Sequence, residues 1–108
     1  MDEQLFQTRA TESMDRLYEM LNRAAETRDF EADLDGGALK IEFDDPPARF
    51  VVSPNSPVRQ VWVSANVKSF KLDWSDAAAD FVLPSTGQTL PALMGEQISI
   101  HLGETVTL

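Results

Sequence analysis

The hydrophobic residues change their period once along this chain, and that change limits the fold more than any motif does. Phe6, Ala10, Met14, Leu17, Leu21 and Ala24 step by four, four, three, four and three, the spacing that lines one side of an α-helix. At about 100° per residue the stripe covers roughly 80° of the circumference. From Phe30 the period is two: Phe30, Ala32 and Leu34 alternate with Glu31, Asp33 and Asp35, and beyond Gly36-Gly37 Leu39, Ile41 and Phe43 alternate with Lys40, Glu42 and Asp44. That pattern predicts a β-hairpin, with Asp35-Gly36 supplying the positive φ of a tight turn.

The same reading continues to the end of the chain. Pro46-Pro47 ends the second strand, and Phe50-Val51-Val52 starts a third before the turn-rich Ser53-Pro54-Asn55-Ser56-Pro57. Val58 to Ser64 reads as a fourth strand, Phe70, Leu72 and Trp74 mark a fifth, and Phe81-Val82-Leu83 a short sixth. A closing helix is capped near Thr89, carries Pro91 in its first turn, turns Leu90, Leu93, Met94 and Ile98 inward and stops at Gly103. Helix, about six mostly antiparallel strands and helix together predict one domain over 1–108. Its class is α+β, a two-layer sandwich whose sheet has both helices on one face and water on the other.

Composition excludes several chemistries. With no cysteine, thiolate nucleophiles, disulfides and cysteine-held zinc or iron–sulfur centres are ruled out. One histidine, His101, leaves little for a His-rich metal site or a Ser-His-Asp triad. A single small core argues against a deep enzyme cleft. The net charge of −9 opposes binding to a phosphate backbone and favours a basic partner or a cation. The acidity is concentrated: residues 1–45 hold 13 acids and 5 bases, residues 46–108 only 5 acids and 4 bases. Asp2 and Glu3 are the wrong charge for a secretory signal, and no stretch is apolar enough to span a membrane, so a soluble cytoplasmic protein is expected.

On the first helix Glu12, Asp15, Glu19 and Glu26 fall opposite the apolar stripe, flanked by Arg9, Arg16 and Arg23. Glu12 to Arg16 and Glu19 to Arg23 have the i, i+4 spacing of helix ion pairs, worth a few tenths of a kcal/mol each. In the fourth strand Val61 and Val63 claim the apolar face, which turns Trp62 with Gln60 and Ser64 to the open one. An aromatic residue exposed among polar neighbours has the profile of an interface anchor. Trp74, in phase with Phe70 and Leu72, belongs to the core, and His101 falls about 20° from Leu90 on the helical wheel, on or beside the packed face.

Taken in order, several pieces resemble bacterial frataxin, the CyaY-type proteins, over nearly the whole chain. They are the opening helix with its outward acidic face, Leu34-Asp35-Gly36-Gly37-Ala38-Leu39, Gln60-Val61-Trp62-Val63, Asp73-Trp74, Ser85-Thr86-Gly87 and Gly103-Glu104-Thr105-Val106. The resemblance implies an accessory protein, not an enzyme, that binds ferrous or ferric iron weakly through surface carboxylates. It also implies docking on a cysteine desulfurase and its iron–sulfur scaffold protein to regulate cluster formation, as an iron donor or iron sensor. Carried over, the acidic ridge is Glu12, Asp15, Glu19, Glu26, Asp29, Glu31 and Asp33, with Asp2 and Glu3 beside it. Partner contact falls to Glu19, Asn55, Gln60, Trp62 and Lys71, in a monomer that iron would assemble further.

The chain departs from the family pattern at the end of the first helix, where Asn22-Arg23-Ala24-Ala25 stands in place of a run of acids. Carboxylate oxygens suit hard or borderline cations, and open sites of this kind leave the ion mostly hydrated and weakly held. The competing reading is an acidic adaptor that meets a basic protein without metal. A ferroxidase is weaker still, since an exposed helix offers no second wall of ligands.

Overall fold

The computed structural model describes Met1–Leu108 and has the expected order of elements. Helix α1 (Glu3–Ala25) is followed by strands β1 (Phe30–Asp35), β2 (Ala38–Asp44), β3 (Pro47–Asn55), β4 (Gln60–Ala65), β5 (Lys68–Ser75) and β6 (Asp80–Val82), then helix α2 (Leu90–Leu102). The six strands form one antiparallel sheet in sequence order, β1 to β6. Phe6, Ala10, Met14, Leu17 and Leu21 of α1 meet the inward residues of the sheet, among them Leu39, Ile41, Phe50, Val61 and Leu72, and α2 adds Leu90, Leu93, Met94 and Ile98 to the same core. Neither helix is long and apolar enough to cross a membrane.

The helix ends are chemically specified. Asp2 accepts a hydrogen bond from the Leu5 N–H at 2.7 Å and caps α1, and Thr89 caps α2 through the Ala92 N–H. Gly103, with φ at +71°, ends α2. Each cap satisfies backbone groups that a helix terminus otherwise leaves open.

Several boundaries differ from the sequence reading. The hairpin turn is centred on Gly36-Gly37, both with positive φ, while Asp35 is the last residue of β1, opposite Ala38. β3 starts at Pro47, three residues before Phe50, because proline lacks only the N–H that the first position of a strand can forgo. Ser56–Val58 forms a 3₁₀ turn seeded by Pro57, which delays β4 to Gln60, and β6 is Asp80–Val82.

Trp74 is half-buried and not central. It lies near the end of β5 beside the short β6, with its ring 5.3 Å from Phe81, its Nε1–H donating to Asp76 at 2.8 Å, and the Arg9 guanidinium 5.0 Å from its centroid. The core thins there, so strand phase alone overstates its burial. His101 is half-buried as expected: its ring packs 4.3 Å from that of Phe43, and Nε2–H donates to the Pro46 carbonyl at 2.8 Å.

The segment after α2 is fastened down. The Ser99 hydroxyl accepts the Val106 N–H at 2.8 Å, and Arg28, in the link between α1 and β1, donates to the Thr105 carbonyl at 3.3 Å. Arg28 Nε also lies 3.3 Å from a Glu104 carboxylate oxygen, close enough for charge attraction but not aligned as a hydrogen bond.

Candidate functional site

Four of the expected contact residues come together on the open face of the sheet. Antiparallel pairing sets Asn55 opposite Gln60 and Trp62 opposite Lys71, with Ser53 on the other side of Trp62. Trp62 is 37% exposed, whereas its neighbours Val61 and Val63 are buried, as the two-residue period requires. The indole is held in place: Nε1–H donates to Gln60 Oε1 at 2.9 Å, Gln60 Nε2 donates to Asp73 at 3.0 Å, and the Lys71 ammonium sits 4.9 Å from the ring centroid. A cation over an exposed indole contributes about 0.5–1 kcal/mol, and the two hydrogen bonds fix the ring without covering it. Val51, Ser53, Ser64 and Ser69 complete the wall of a shallow groove beside the ring. This is an amphipathic surface with its central aromatic side chain already oriented, which lowers the entropy lost on binding.

Glu19, the fifth residue of that set, stands elsewhere. It is exposed on the outward side of α1, and α1 packs on the buried face, so the sheet separates Glu19 from Trp62.

The acidic residues follow a bent path around the edge of the molecule. Glu12, Asp15 and Glu19 are exposed along α1, Glu26 caps its C-terminus, Asp29 lies in the link, and Glu31 and Asp33 project from β1 onto the open sheet face. Asp2 and Glu3 lie at the opposite end of α1. A shallow depression collects Glu26, Asp29, Glu31 and Asp33 with Glu42 and Asp44 of β2. Sequence reasoning left out Glu42 and Asp44, although their signal was present: they are the polar half of the β2 alternation, and hairpin pairing places Glu42 opposite Glu31.

The arginines of α1 do not pair with its acids as their spacing suggested, although Arg49 neutralises Glu42. Arg16 donates to the Ser13 hydroxyl at 3.3 Å, Arg9 stacks on Trp74, and the ion pairs within 4 Å are Arg28 with Glu104 and Arg49 with Glu42. The i, i+4 pairs Glu12–Arg16 and Glu19–Arg23 are therefore absent, since an exposed pair gains too little to hold two long side chains against alternatives nearby.

Carboxylates are the right donors for iron, but no three His, Asp or Glu side chains converge to hold one ion. An ion held by such dispersed carboxylates would keep most of its water and exchange freely. Titration with Fe²⁺, or Co²⁺ as a mimic, is expected to perturb NMR signals within Glu12 to Asp33 with roughly high-micromolar or weaker affinity. Perturbations centred on His101 would contradict that placement.

Comparison with known proteins agrees with this architecture. Residues 1–104 match the model of the frataxin-like domain. The iron-sulfur cluster assembly protein CyaY of Azotobacter vinelandii is 26% identical over 102 residues, covering 93% of this chain and 92% of that protein. CyaY of Pseudomonas aeruginosa is 27% identical over 95 residues, covering 86% and 87%. Among solved structures, a frataxin from Psychromonas ingrahamii superposes with a TM-score of 0.76 at 20% identity, covering 99% of this chain and 97% of that one. Sheet order, helix placement and a match over nearly the full length agree, and the chain belongs to the frataxin-like family.

Proposed function

We propose that this protein is a cytoplasmic accessory factor of iron–sulfur cluster assembly, a monomer that docks on the cysteine desulfurase and scaffold complex and regulates cluster formation. Iron is its weakly held cargo or signal, at the carboxylates between Glu12 and Asp33. Membership of a family whose named relatives are iron–sulfur cluster assembly proteins supports the pathway. The observation that carries docking is the oriented, exposed Trp62 between Gln60 and Lys71 on an otherwise open sheet face.

A second reading, a metal-independent acidic adaptor, is favoured by the lack of converging carboxylates. Partner affinity measured with and without iron separates the two, because an adaptor is indifferent to the metal.

The proposal is tested by reversing Glu19, Glu26, Asp29 and Glu31 to Lys, which changes the net charge from −9 to −1. All four side chains are exposed, so the folding free energy is expected to change by no more than about 1 kcal/mol. Binding to the desulfurase and scaffold complex is expected to fall, mainly through a slower association rate that becomes less salt-dependent. Undiminished binding of a folded fourfold variant, or failure of the wild-type protein to recover a desulfurase from native lysate, refutes it.

A further inference from the structure

β1 is an outer strand of the sheet, bonded to β2 on one side and to no strand on the other. Its register fixes which backbone groups are free. Asp35 and Ala38 flank a two-residue turn, and in such hairpins the flanking pair exchanges both hydrogen bonds. Asp35, Asp33 and Glu31 therefore bond to β2, while Ala32 and Leu34 turn their N–H and C=O groups outward. The Phe30 N–H, of the same parity, bonds locally to the Arg28 carbonyl, and no loop or side chain bonds to Ala32 or Leu34.

Acids outnumber bases around that edge. Glu31, Asp33 and Asp35 are exposed on its open-face side, and Asp15 and Glu26 are exposed on the flank of α1 beside it. Two cations stand nearby: Arg28 is tied to Glu104 and Thr105, and Lys40, half-buried in β2, pairs across the ladder with Asp33 and leaves Glu31 and Asp35 without a basic cross-strand neighbour. The residues alternating with these acids are apolar: Ala32 and Leu34 are half-buried against the core, as is Tyr18 of α1.

We propose that the β1 edge receives an extended basic segment of a partner protein as a seventh strand, with alternate Arg or Lys side chains over Glu31, Asp33 and Asp35 and the intervening apolar ones on Tyr18, Ala32 and Leu34. A free strand edge supplies main-chain bonds, and the period of two gives the incoming strand its basic and apolar faces. A second copy of this chain is the wrong occupant, because antiparallel pairing of two β1 edges would face three carboxylates with three more. The inference rests on the reading that this protein meets a basic partner, and specifies how one segment of that partner is held.

The probe is a blocked hexapeptide of alternating arginine and valine, with two copies N-methylated on either the odd or the even amides. All three carry the same charge. One methylated copy is expected to lose about tenfold or more in affinity while the other binds like the parent, since only one set of amides faces β1. Hydrogen exchange at the Ala32 and Leu34 amides of the protein is expected to slow in the parent complex. Equal binding by both methylated copies, or unchanged exchange at Ala32 and Leu34, overturns the proposal and leaves the acids as charges that merely keep the edge from pairing. Docking on the desulfurase and scaffold complex is measured separately with Trp62→Ala, which lies on β4 and leaves every residue of the β1 edge in place, so loss of strand pairing and loss of the docking role give different results.

Discussion

Trp62→Ala is expected to lower partner affinity by 2 kcal/mol or more, roughly thirtyfold, while folding stability falls by no more than about 1 kcal/mol. The asymmetry follows from where the ring stands. Its neighbours Val61 and Val63 hold the sheet to the core, whereas the indole lies above the open face and touches Gln60 and Lys71. Truncation leaves no cavity inside the molecule. It removes the one large apolar surface that a partner on this face would bury, together with an orientation already secured by the Gln60 bond. Chemical denaturation and binding to the desulfurase and scaffold complex give the two numbers. A folding loss as large as that of a core aromatic would mean the ring is structural.

Phe81→Ala supplies that comparison and is expected to cost about 3–5 kcal/mol of folding stability. Phe81 is fully buried, with its ring edge-on to Phe6 of α1 at 5.8 Å and to Trp74 of β5 at 5.3 Å. It joins the first helix to the short last strand. For a chain of this size the loss lowers Tm by roughly 10 °C or more. Trp74→Ala is expected to fall between the two substitutions, because its ring is half-buried and its indole N–H already reaches Asp76 near solvent. A Phe81 variant as stable as the wild type would show that the end of the sheet repacks around the missing ring.

Much of this architecture was legible in residue order. The stripe from Phe6 to Leu21 is buried as its spacing demanded, and the Val61, Trp62, Val63 alternation sorted inside from outside correctly. Thr89 and Gly103 mark the ends of α2 as their chemistry suggested. Other features left no local mark. Val67, at the tip of the β4–β5 turn, has a φ of +55° and is fully exposed. A β-branched residue disfavours that backbone region, so its place follows from the turn that pairing of Ala65 with Lys68 imposes. Asn66 beside it donates to the Gln97 side chain at 2.9 Å and to the Gln97 carbonyl at 3.0 Å, a link across 31 positions that no spacing announces.

The candidate surfaces divide the same way. Sequence by itself determined that Trp62 faces outward, that acids crowd the first 45 residues, and that α1 turns carboxylates to water. These are consequences of fixed backbone periods, about 100° per residue in a helix and alternation in a strand, and they hold wherever the element is placed. Only the tertiary structure decided that Asn55 lies beside Gln60, that Lys71 lies over Trp62, and that Glu42 and Asp44 join Glu31 and Asp33. It alone sent Arg16 to Ser13 and Arg28 to the chain's last segment. Those neighbours depend on which strands pair and how the helices lie on them, which is set by burial of the shared core. An exposed charge gains too little from any one partner to choose for itself, so it takes the partner that the packed core brings within reach.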